Sequence, residues 1–397
     1  MTTGPLWDLV VVGAGPAGAT AALSALRARP AARVLLLDRS DFPRDKSCGD
    51  GVAPHVLDVL EELGAPEVAA GLRRDHAPIP LLQLALGPLE VERAMRRPAL
   101  VVPRSQLDAR LVEAAVGAGA VLRRHRVRRV EPRRDDVLVD GTVRGRVVLA
   151  ADGARSRVRR SLGIPLAGRT ALGLRGYAPT PAHRGGRQVI RFGDDRQPSY
   201  AWSFDRGDGW SNIGYGEVLG GRHAPPTQAL MVRRLEALLP GSTDGAGSWR
   251  GHHLPLSTAR TGREQPDGRV LYAGDALGLV NPLTGEGIYY AVATGALAGR
   301  LAVRDRVPGA SYRRAVRALL RRNLVATAAA SRLTSSPRVL SAGLHAAATD
   351  QAVFDDLVEL GLGRGVLTAG LVRGLVGGLA GGLAEGLATR LRPGAGV

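Results

Sequence analysis

The sequence predicts an α/β protein in which a parallel-sheet domain carries an inserted antiparallel β-sheet domain and is followed by a helical C-terminal region. An apolar strand, a Gly-rich turn, an Ala-rich helix and a second apolar strand follow one another over residues 8–38. This βαβ order implies parallel strands. Helical periodicity weakens over residues 170–260, where short strand-like runs dominate. A helical pattern rich in small residues returns after residue 306.

Each of the three parts has expected boundaries. We expect the parallel-sheet domain to comprise residues 1–165 and 262–305, with a small strand insertion near 80–104. We expect the antiparallel sheet over residues 166–261 and the helical, Gly/Ala-rich region over residues 306–397. A chain of 397 residues is long enough for two domains that share a large core.

Arginine gives the chain a strongly basic balance. The formal net charge is +18, and Lys46 is the only lysine. One interpretation is a compositional preference for arginine over lysine, which does not account for the shortage of acidic residues. The alternative is an anionic partner, either a membrane surface or a phosphorylated substrate. We find no motif that reads nucleic acid, so we expect no nucleic-acid partner.

Cysteine content and hydropathy limit the cellular setting. Cys48 is the only cysteine, which excludes an intrachain disulfide and a multi-cysteine metal site, and we predict no metal. The N-terminus lacks a signal-peptide pattern, and no apolar run is long enough to span a bilayer. We therefore expect a cytoplasmic monomer. The Gly-rich tail, residues 361–397, allows peripheral membrane contact as an alternative.

The Gly-rich turn of the first βαβ unit has the spacing of a dinucleotide fingerprint. Gly13 permits the tight turn, Gly15 lets the backbone approach a pyrophosphate, and Gly18 lets the helix pack close to the strand. The helix N-terminus attracts the anion. Asp38 ends the second strand, where a carboxylate would bind a ribose. The predicted cofactor-binding residues here are Gly13, Gly15, Ala17, Gly18, Asp38 and Arg39.

Two further acidic motifs follow predicted strands. Asp152 comes directly after the strand Val147–Ala150, and Asp275 follows Val270–Ala273. Ligands of α/β proteins bind at such strand ends. The amides of residues 285–288 open the next helix and can face a part of a cofactor on which negative charge develops. Taken singly, each acid is as well explained as a helix cap. The predicted cofactor-binding residues of this group are Asp152, Gly274, Asp275, Gly285, Gly287 and Ile288.

With these three signals the chain resembles a large class of FAD proteins that includes the aromatic hydroxylases, and the resemblance implies a Rossmann-like FAD-binding domain. Two more segments narrow this resemblance to one family. Pro43-x-x-Lys46-x-Cys48-Gly49-Asp50-Gly51 and Pro198-x-x-Tyr200-x-Trp202-x-Phe204, followed by residues 212–216, are similar to the geranylgeranyl reductase family. Its members use reduced FAD to saturate isoprenoid double bonds. Asp205 departs from the proline usual there. Arg104 matches a position that contacts FAD in many relatives.

Aromatic residues are few but concentrated in the middle of the chain. The spacing of Tyr200, Trp202 and Phe204 by two residues predicts that all three point to one face of a strand. Such a face can wall a pocket for an apolar polyprenyl chain, or it can be an ordinary core stripe. The resemblance implies that the Cys48 turn lies beside the flavin. Tyr215 is a further candidate for this wall. The predicted catalytic residues are Cys48, Gly49, Asp50, Tyr200, Trp202, Phe204 and Tyr215.

The predicted function is FAD-dependent saturation of C=C bonds in a polyprenyl substrate, either an isoprenoid small molecule or a lipid. The alternative is a flavin monooxygenase that hydroxylates or epoxidises an apolar or aromatic substrate, because it would share all three FAD signals. We find no second dinucleotide fingerprint. The electron donor is therefore expected to be NAD(P)H bound without a motif, or a reduced partner protein.

Overall fold

The computed structural model describes residues 5–193, 198–220 and 224–390, with side chains as far as residue 379. The strands are β1 (Leu6–Val12), β2 (Val34–Asp38), β3 (Gly51–Val52), β4 (Ile79–Leu86), β5 (Leu89–Val101), β6 (Val121–Arg124), β7 (Val130–Pro132), β8 (Val137–Val139), β9 (Val143–Ala150), β10 (Thr170–Pro179), β11 (Arg187–Phe192), β12 (Ser199–Asp205), β13 (Trp210–Val218), β14 (Gly247–Pro255) and β15 (Val270–Tyr272). The helices are α1 (Pro16–Ala28), α2 (Pro54–Glu62), α3 (Pro66–Asp75), α4 (Arg104–Gly117), α5 (Arg157–Ser161), α6 (Gln228–Leu238), α7 (Ile288–Arg304), α8 (Gly309–Leu333), α9 (Pro337–Thr349), α10 (Gln351–Leu362) and α11 (Ala369–Arg390).

The first sheet is built on parallel strands that are buried on both faces. β1 lies between β2 and β9 and is parallel to both, while β6 and β15 extend the parallel set. The short strands β7 and β8 add an antiparallel edge. Residues Leu9–Val12 and Val34–Leu37 are almost fully buried, as continuous apolar runs in parallel sheets usually are. The predicted parallel-sheet domain is confirmed.

Helices α1 and α7 cover this sheet together and pack closely on each other. A Cβ atom at Gly295 would lie 2.2 Å from the carbonyl oxygen of Ala17, and one at Gly299 would lie 2.0 Å from that of Ala21. Glycine is therefore required in α7 wherever the backbone of α1 crosses it. This contact places the first turns of α1 against the middle of α7.

The second sheet has the strand order β14-β10-β13-β12-β11-β4-β5-β3 and is antiparallel except where β11 pairs with β4. The inserted antiparallel sheet is thus confirmed, but it is larger than we expected. The strand insertion near 80–104 joins it, because Val189 of β11 pairs with Gln83 of β4. The insertion belongs to the same sheet as residues 166–261 and is not a separate appendage of the first domain.

The described part of the C-terminal region, as far as residue 390, is largely helical, as predicted, and residues 391–397 lie outside the described residues. Helix α9 lies against β5, and the Gly-rich helix α11 packs on α9. A Cβ atom at Gly378 would lie 2.7 Å from the carbonyl oxygen of Ala342, so small residues permit this close approach. Within the part of the chain that the structure describes, we find no helix with the length and apolar character needed to cross a bilayer.

Candidate functional site

The Gly-rich turn between β1 and α1 has the geometry that its spacing predicts. Gly13 has φ +98°, and a Cβ atom there would lie 2.4 Å from the carbonyl oxygen of Ala151. A Cβ atom at Gly18 would lie 1.8 Å from the carbonyl oxygen of Gly13. Gly15 caps α1 without a side-chain hydrogen bond, so the first amides of α1 are not capped by a side chain. These amides form an anion site at a helix N-terminus.

Positive charge lies next to this turn. Arg104 is buried, and its guanidinium donates to both oxygens of Asp108 at 2.7 and 2.8 Å. Arg44 lies 3.0 Å from the same carboxylate. Both arginines stand within 4 Å of where a Cβ atom of Gly15 would be, at 3.6 Å for Arg44 and 3.7 Å for Arg104. Since two guanidinium groups share one carboxylate, a net positive charge remains beside the helix N-terminus.

Asp38 and Arg39 lie at the carboxyl end of β2. One carboxylate oxygen of Asp38 accepts from the N–H of Ala14 at 2.8 Å, and the other accepts from that of Ser40 at 2.9 Å. Asp38 therefore ties the end of β2 to the Gly-rich turn, and its oxygens retain lone pairs for a ribose. Arg39 is exposed.

Asp152 caps a helix with one carboxylate oxygen and leaves the other oxygen available to a ligand. Its Oδ2 accepts from the N–H groups of Arg157 at 2.6 Å and Val158 at 3.3 Å, so it caps α5. Its Oδ1 is buried and has no hydrogen-bond partner among the described residues. Burial raises the pKa of Asp152. An unpaired buried oxygen of this kind can accept a hydrogen bond from a hydroxyl of a bound cofactor.

Asp275 follows β15 and faces a lysine and a histidine. Its carboxylate lies 3.9 Å from Lys46 Nζ and 3.8 Å from His252 Nε2. Burial alone would raise the pKa of Asp275, but the charge of Lys46 and the contact with His252 outweigh it and lower the pKa. Gly274 has φ +56°, and its N–H donates to Thr294 Oγ1 at 3.0 Å. This turn holds the Asp275 carboxylate toward the cavity.

The loop before α7 completes the nucleotide end of the site. Gly285 has φ +73°, and Gly287 caps α7 without a side-chain hydrogen bond. Gly285, Gly287 and Ile288 all line the same cavity as Gly15 and Asp275. The structure therefore brings the three separated motifs to one edge of the first sheet.

A cavity of about 330 Å³ begins at this edge and continues between the second sheet and the C-terminal helices. Its far half is lined by aliphatic side chains, among them Ile190, Leu283, Leu340, Leu344, Leu357 and Leu371. The sequence did not predict that α8–α11 would form this wall. A volume of this order with few polar groups is typical of a small-molecule or lipid site.

Three aromatic side chains of β12 face the cavity in a row. The ring centroids of Tyr200 and Trp202 lie 5.9 Å apart, and those of Trp202 and Phe204 lie 6.4 Å apart. Phe192 extends the row from β11, with its centroid 6.3 Å from that of Tyr200. The Tyr200 hydroxyl donates to the carbonyl oxygen of Thr284, which joins the row to the loop before α7.

Tyr215 requires a correction. It pairs directly with Ala201 across the β12–β13 ladder, so it shares the face of Ala201 and not that of Trp202. Its ring packs with Leu235 of α6 on the opposite side of the sheet, and its hydroxyl contacts Glu217 at 3.2 Å. The interpretation of Tyr215 as part of the cavity wall is therefore wrong.

The Cys48–Asp50 turn lies against the aromatic row. Cys48 and Gly49 line the cavity, and a Cβ atom at Gly49 would lie 3.4 Å from the Phe204 ring. Burial raises the pKa of the Cys48 thiol. The carbonyl oxygen of Cys48 accepts from Asn212 Nδ2 at 2.9 Å, so the turn is anchored on β13.

Asp50 is the centre of a buried polar network. Its Oδ2 accepts from the Tyr177 hydroxyl at 2.5 Å and from Asn212 Nδ2 at 2.8 Å. Asn212 Oδ1 in turn accepts from Trp202 Nε1 at 2.8 Å. Burial raises the pKa of Asp50 to about 6. Sequence reasoning missed the bridging role of Asn212 and Tyr177, because only the folded sheet brings them to the Cys48 turn.

Glu286 is a further titratable group on the cavity wall that sequence reasoning did not single out. Its Oε1 accepts from the N–H of Tyr289 at 2.7 Å. Burial raises the pKa of Glu286 to about 7, so the carboxyl is close to half-protonated near neutral pH. The only available signal was its place between Gly285 and Gly287 in the loop that meets the cofactor end of the cavity.

The fold and the three converging loops define an FAD-binding oxidoreductase, and the chain matches the family described as FAD binding domain over residues 7–302. The chain belongs to the geranylgeranyl reductase family of these proteins. A menaquinone reductase from Mycolicibacterium smegmatis is 34% identical over 322 residues, covering 74% of this chain and 76% of the relative. A digeranylgeranylglycerophospholipid reductase 1 from Methanopyrus kandleri is 32% identical, covering 75% and 80%.

A solved structure has the same fold along almost the entire chain. The geranylgeranyl bacteriochlorophyll reductase-like protein from Thermoplasma acidophilum superposes with a TM-score of 0.73, covering 96% of this chain and 99% of its own. Its sequence identity is 19%, so this likeness concerns the fold alone.

Proposed function

We propose that this protein uses reduced FAD to saturate C=C bonds of a polyprenyl chain. The observation that carries the proposal is the apolar cavity that leads from the cofactor loops, past an aromatic row, into the C-terminal helices. The relatives named menaquinone reductase and digeranylgeranylglycerophospholipid reductase support a substrate with such a chain. Whether that chain belongs to a quinone, a polar lipid or a free isoprenoid is the question for a substrate screen.

The residues at the nucleotide end fit FAD. The amides at the start of α1 and the Arg44–Arg104 pair suit a pyrophosphate, and the free Oδ1 of Asp152 suits a cofactor hydroxyl. We assign Asp38 to a ribose and the Asp275 turn to the flavin side. When bound and reduced, the flavin supplies a hydride for the alkene. We propose NAD(P)H or a reduced partner protein as the source of its electrons.

The proposed reaction also delivers a proton to the alkene carbon that does not receive the hydride. An isoprenoid alkene lacks an activating carbonyl, so protonation leads hydride transfer and positive charge develops on the carbon that accepts the hydride. The faces of Tyr200, Trp202 and Phe204 stabilise such charge, and the aliphatic wall excludes water. We assign the proton to the Glu286 carboxyl, which lines the cavity and is reprotonated from solvent.

The Cys48 turn positions the substrate in this proposal. Gly49 leaves room beside Phe204, and the Asp50–Asn212 network holds the turn against Trp202. Asp50 acts through Asn212 and Tyr177, so we regard it as a positioning residue.

The experiment begins with the purified protein loaded with FAD and reduced without oxygen. Candidate polyprenyl compounds are then added, and flavin absorbance and product mass are followed together. We expect flavin reoxidation and a product heavier by two hydrogen atoms per bond reduced. A product formed only with oxygen, and heavier by one oxygen atom, would identify a monooxygenase instead.

A further inference from the structure

The apolar cavity reaches the protein surface where α8 ends and α9 begins. Leu333 lines the cavity and is also 49% exposed to solvent. Thr334 and Val339 line the cavity nearby and are half-buried. A cavity residue with half of its surface in solvent marks an opening. We call residues 332–339 at this opening, together with residues 372–376 of α11, which packs alongside α9, the mouth.

Helix α11 adds exposed apolar side chains to the mouth. Leu371 and Leu375 of this helix line the cavity, and the next residues along the chain, Val372 and Val376, are 45% and 61% exposed. Val372 and Val376 are one helical turn apart and therefore share a face. The contacts of Gly374 with Ala346 and of Gly378 with Ala342 place these valines alongside α9, beyond the residues of the opening. Exposed aliphatic side chains that continue from an opening are a feature of surfaces that bind an apolar partner.

An arginine adjoins each group of these apolar residues in the chain. Arg332, Arg338 and Arg373 are exposed and directly precede or follow Leu333, Val339 and Val372 in the chain. None of the three arginines forms an ion pair with a residue that the structure describes. Among the acids of α10, Asp355 pairs with Arg96 and Glu359 with His55. Asp356 lies at the start of α11, where it accepts from the Thr368 hydroxyl. The mouth therefore combines exposed apolar side chains with three exposed arginines, against the single carboxylate of Asp356.

We infer that the mouth docks on an anionic lipid bilayer. Val372, Val376 and Leu333 would lie at the level of the acyl chains, and the arginines would bind lipid phosphates. The inference rests on the proposed function, since a polyprenyl chain that leaves a bilayer at this mouth enters the cavity without crossing water. A protein partner would satisfy the charge and the apolar patch but would not explain why the patch continues into the cavity.

The test is co-sedimentation of FAD-loaded protein with vesicles of phosphatidylcholine, with and without phosphatidylglycerol. We compare the wild type with the triple variant Arg332→Glu, Arg338→Glu, Arg373→Glu. The matched control, Arg126→Glu, Arg133→Glu, Arg134→Glu, makes the same change of charge on exposed arginines of the first domain. A third protein carries Val372→Asp and Val376→Asp.

We expect the wild type and the control to bind vesicles that contain phosphatidylglycerol. The mouth triple variant and the valine variant should bind at least about tenfold more weakly. Equal binding by the mouth triple variant and the wild type would overturn the inference. So would an equal loss in the control, because binding would then follow net charge alone, and so would failure of the wild type to bind.

A second assay separates this inference from the proposed function. Reoxidation of reduced FAD by a short prenyl compound in detergent does not need a bilayer, so the mouth variants should retain the wild-type rate. If the wild type binds vesicles through the mouth but no prenyl compound reoxidises its flavin, the proposed function fails and the docking surface stands.

Discussion

At the scale of residues, the site depends on side chains that are far apart in sequence and on glycines that make room for them. Trp202 lies over β13 because Gly214 stands directly opposite it in the ladder. Its indole N–H is held by Asn212, which also holds the Cys48 turn and Asp50. The aromatic wall and the turn are therefore one unit, and a change in either should affect both.

Replacing Gly214 by alanine tests this unit. A Cβ atom there would lie 2.2 Å from Trp202 Cζ2 and 2.3 Å from the carbonyl oxygen of Leu174. We expect Gly214→Ala to destabilise the protein by about 1–3 kcal/mol, because the Leu174 carbonyl belongs to the backbone and cannot move away from the added methyl group. Thermal unfolding measures this. Gly216→Ala is the matched control, since its nearest neighbour would be 3.7 Å away. Equal stability of the two variants would contradict the packing described here.

Glu286 gives a prediction with a defined pH dependence. Its pKa is raised to about 7, so the carboxyl is protonated below that pH and loses its proton above it. If it donates the proton, the rate of alkene reduction should fall as pH rises through about 7. Glu286→Gln should be slow at every pH and should lack this descending limb. A variant that is merely slower, with the same limb as the wild type, would assign the proton to another group.

Sequence reasoning succeeded at this scale where residues share one strand, and failed where they do not. The spacing by two of Tyr200, Trp202 and Phe204 was enough to place them on one face. Tyr215 was assigned to the same wall because it is aromatic and near in sequence. Its face is decided by strand register, which a single sequence does not reveal. The same limitation hid the contact between Asn212 and Asp50.

At the scale of elements, close helix packing positions the cofactor loops. The first turns of α1 lie against the middle of α7, because Gly295 and Gly299 let the two backbones meet. This contact helps to hold the start of α1 and the loop before α7 on the same cavity. The βαβ unit was predictable from its local pattern. The crossing of α1 by α7 was not, because it joins segments separated by more than two hundred residues.

We expect Gly295→Ala to weaken FAD binding and lower the unfolding temperature. The added methyl group would lie 2.2 Å from the carbonyl oxygen of Ala17 and would push α7 away from α1. Gly117→Ala, in α4, is the control because nothing lies within 4 Å of the added atom. The measurement is the FAD content of the two purified proteins, which we expect to be lower in Gly295→Ala than in Gly117→Ala. Full FAD content in Gly295→Ala would show that the helix contact does not govern the cofactor site.

At the scale of the whole molecule, the cavity is shared by all three parts of the chain. The first domain supplies the cofactor loops, the second sheet supplies the aromatic row, and α8–α11 supply the aliphatic far half. The fold class followed from sequence because each part has its own local pattern. That β4 and β5 join the second sheet, and that the tail helices close the cavity, depended on long-range packing that no local pattern records.

This arrangement predicts that the aliphatic far half of the cavity selects substrates by the length of their prenyl chain. Leu340→Trp places a larger ring in the aliphatic half while leaving the cofactor loops untouched. We expect normal FAD content, near-normal reoxidation by short prenyl compounds and a loss of about tenfold or more with long ones. Val325→Trp, on the exposed side of α8, serves as the control. An equal loss for short and long compounds would show that the far half does not hold the chain.

Polyprenyl reduction is tested most directly by the rate at which reduced flavin in this protein is reoxidised, without oxygen, by prenyl compounds of increasing length. We expect reoxidation that becomes more efficient as the chain fills the cavity and then levels off, with saturated product formed in equal amount. Flavin that stays reduced with every prenyl compound tested would contradict it.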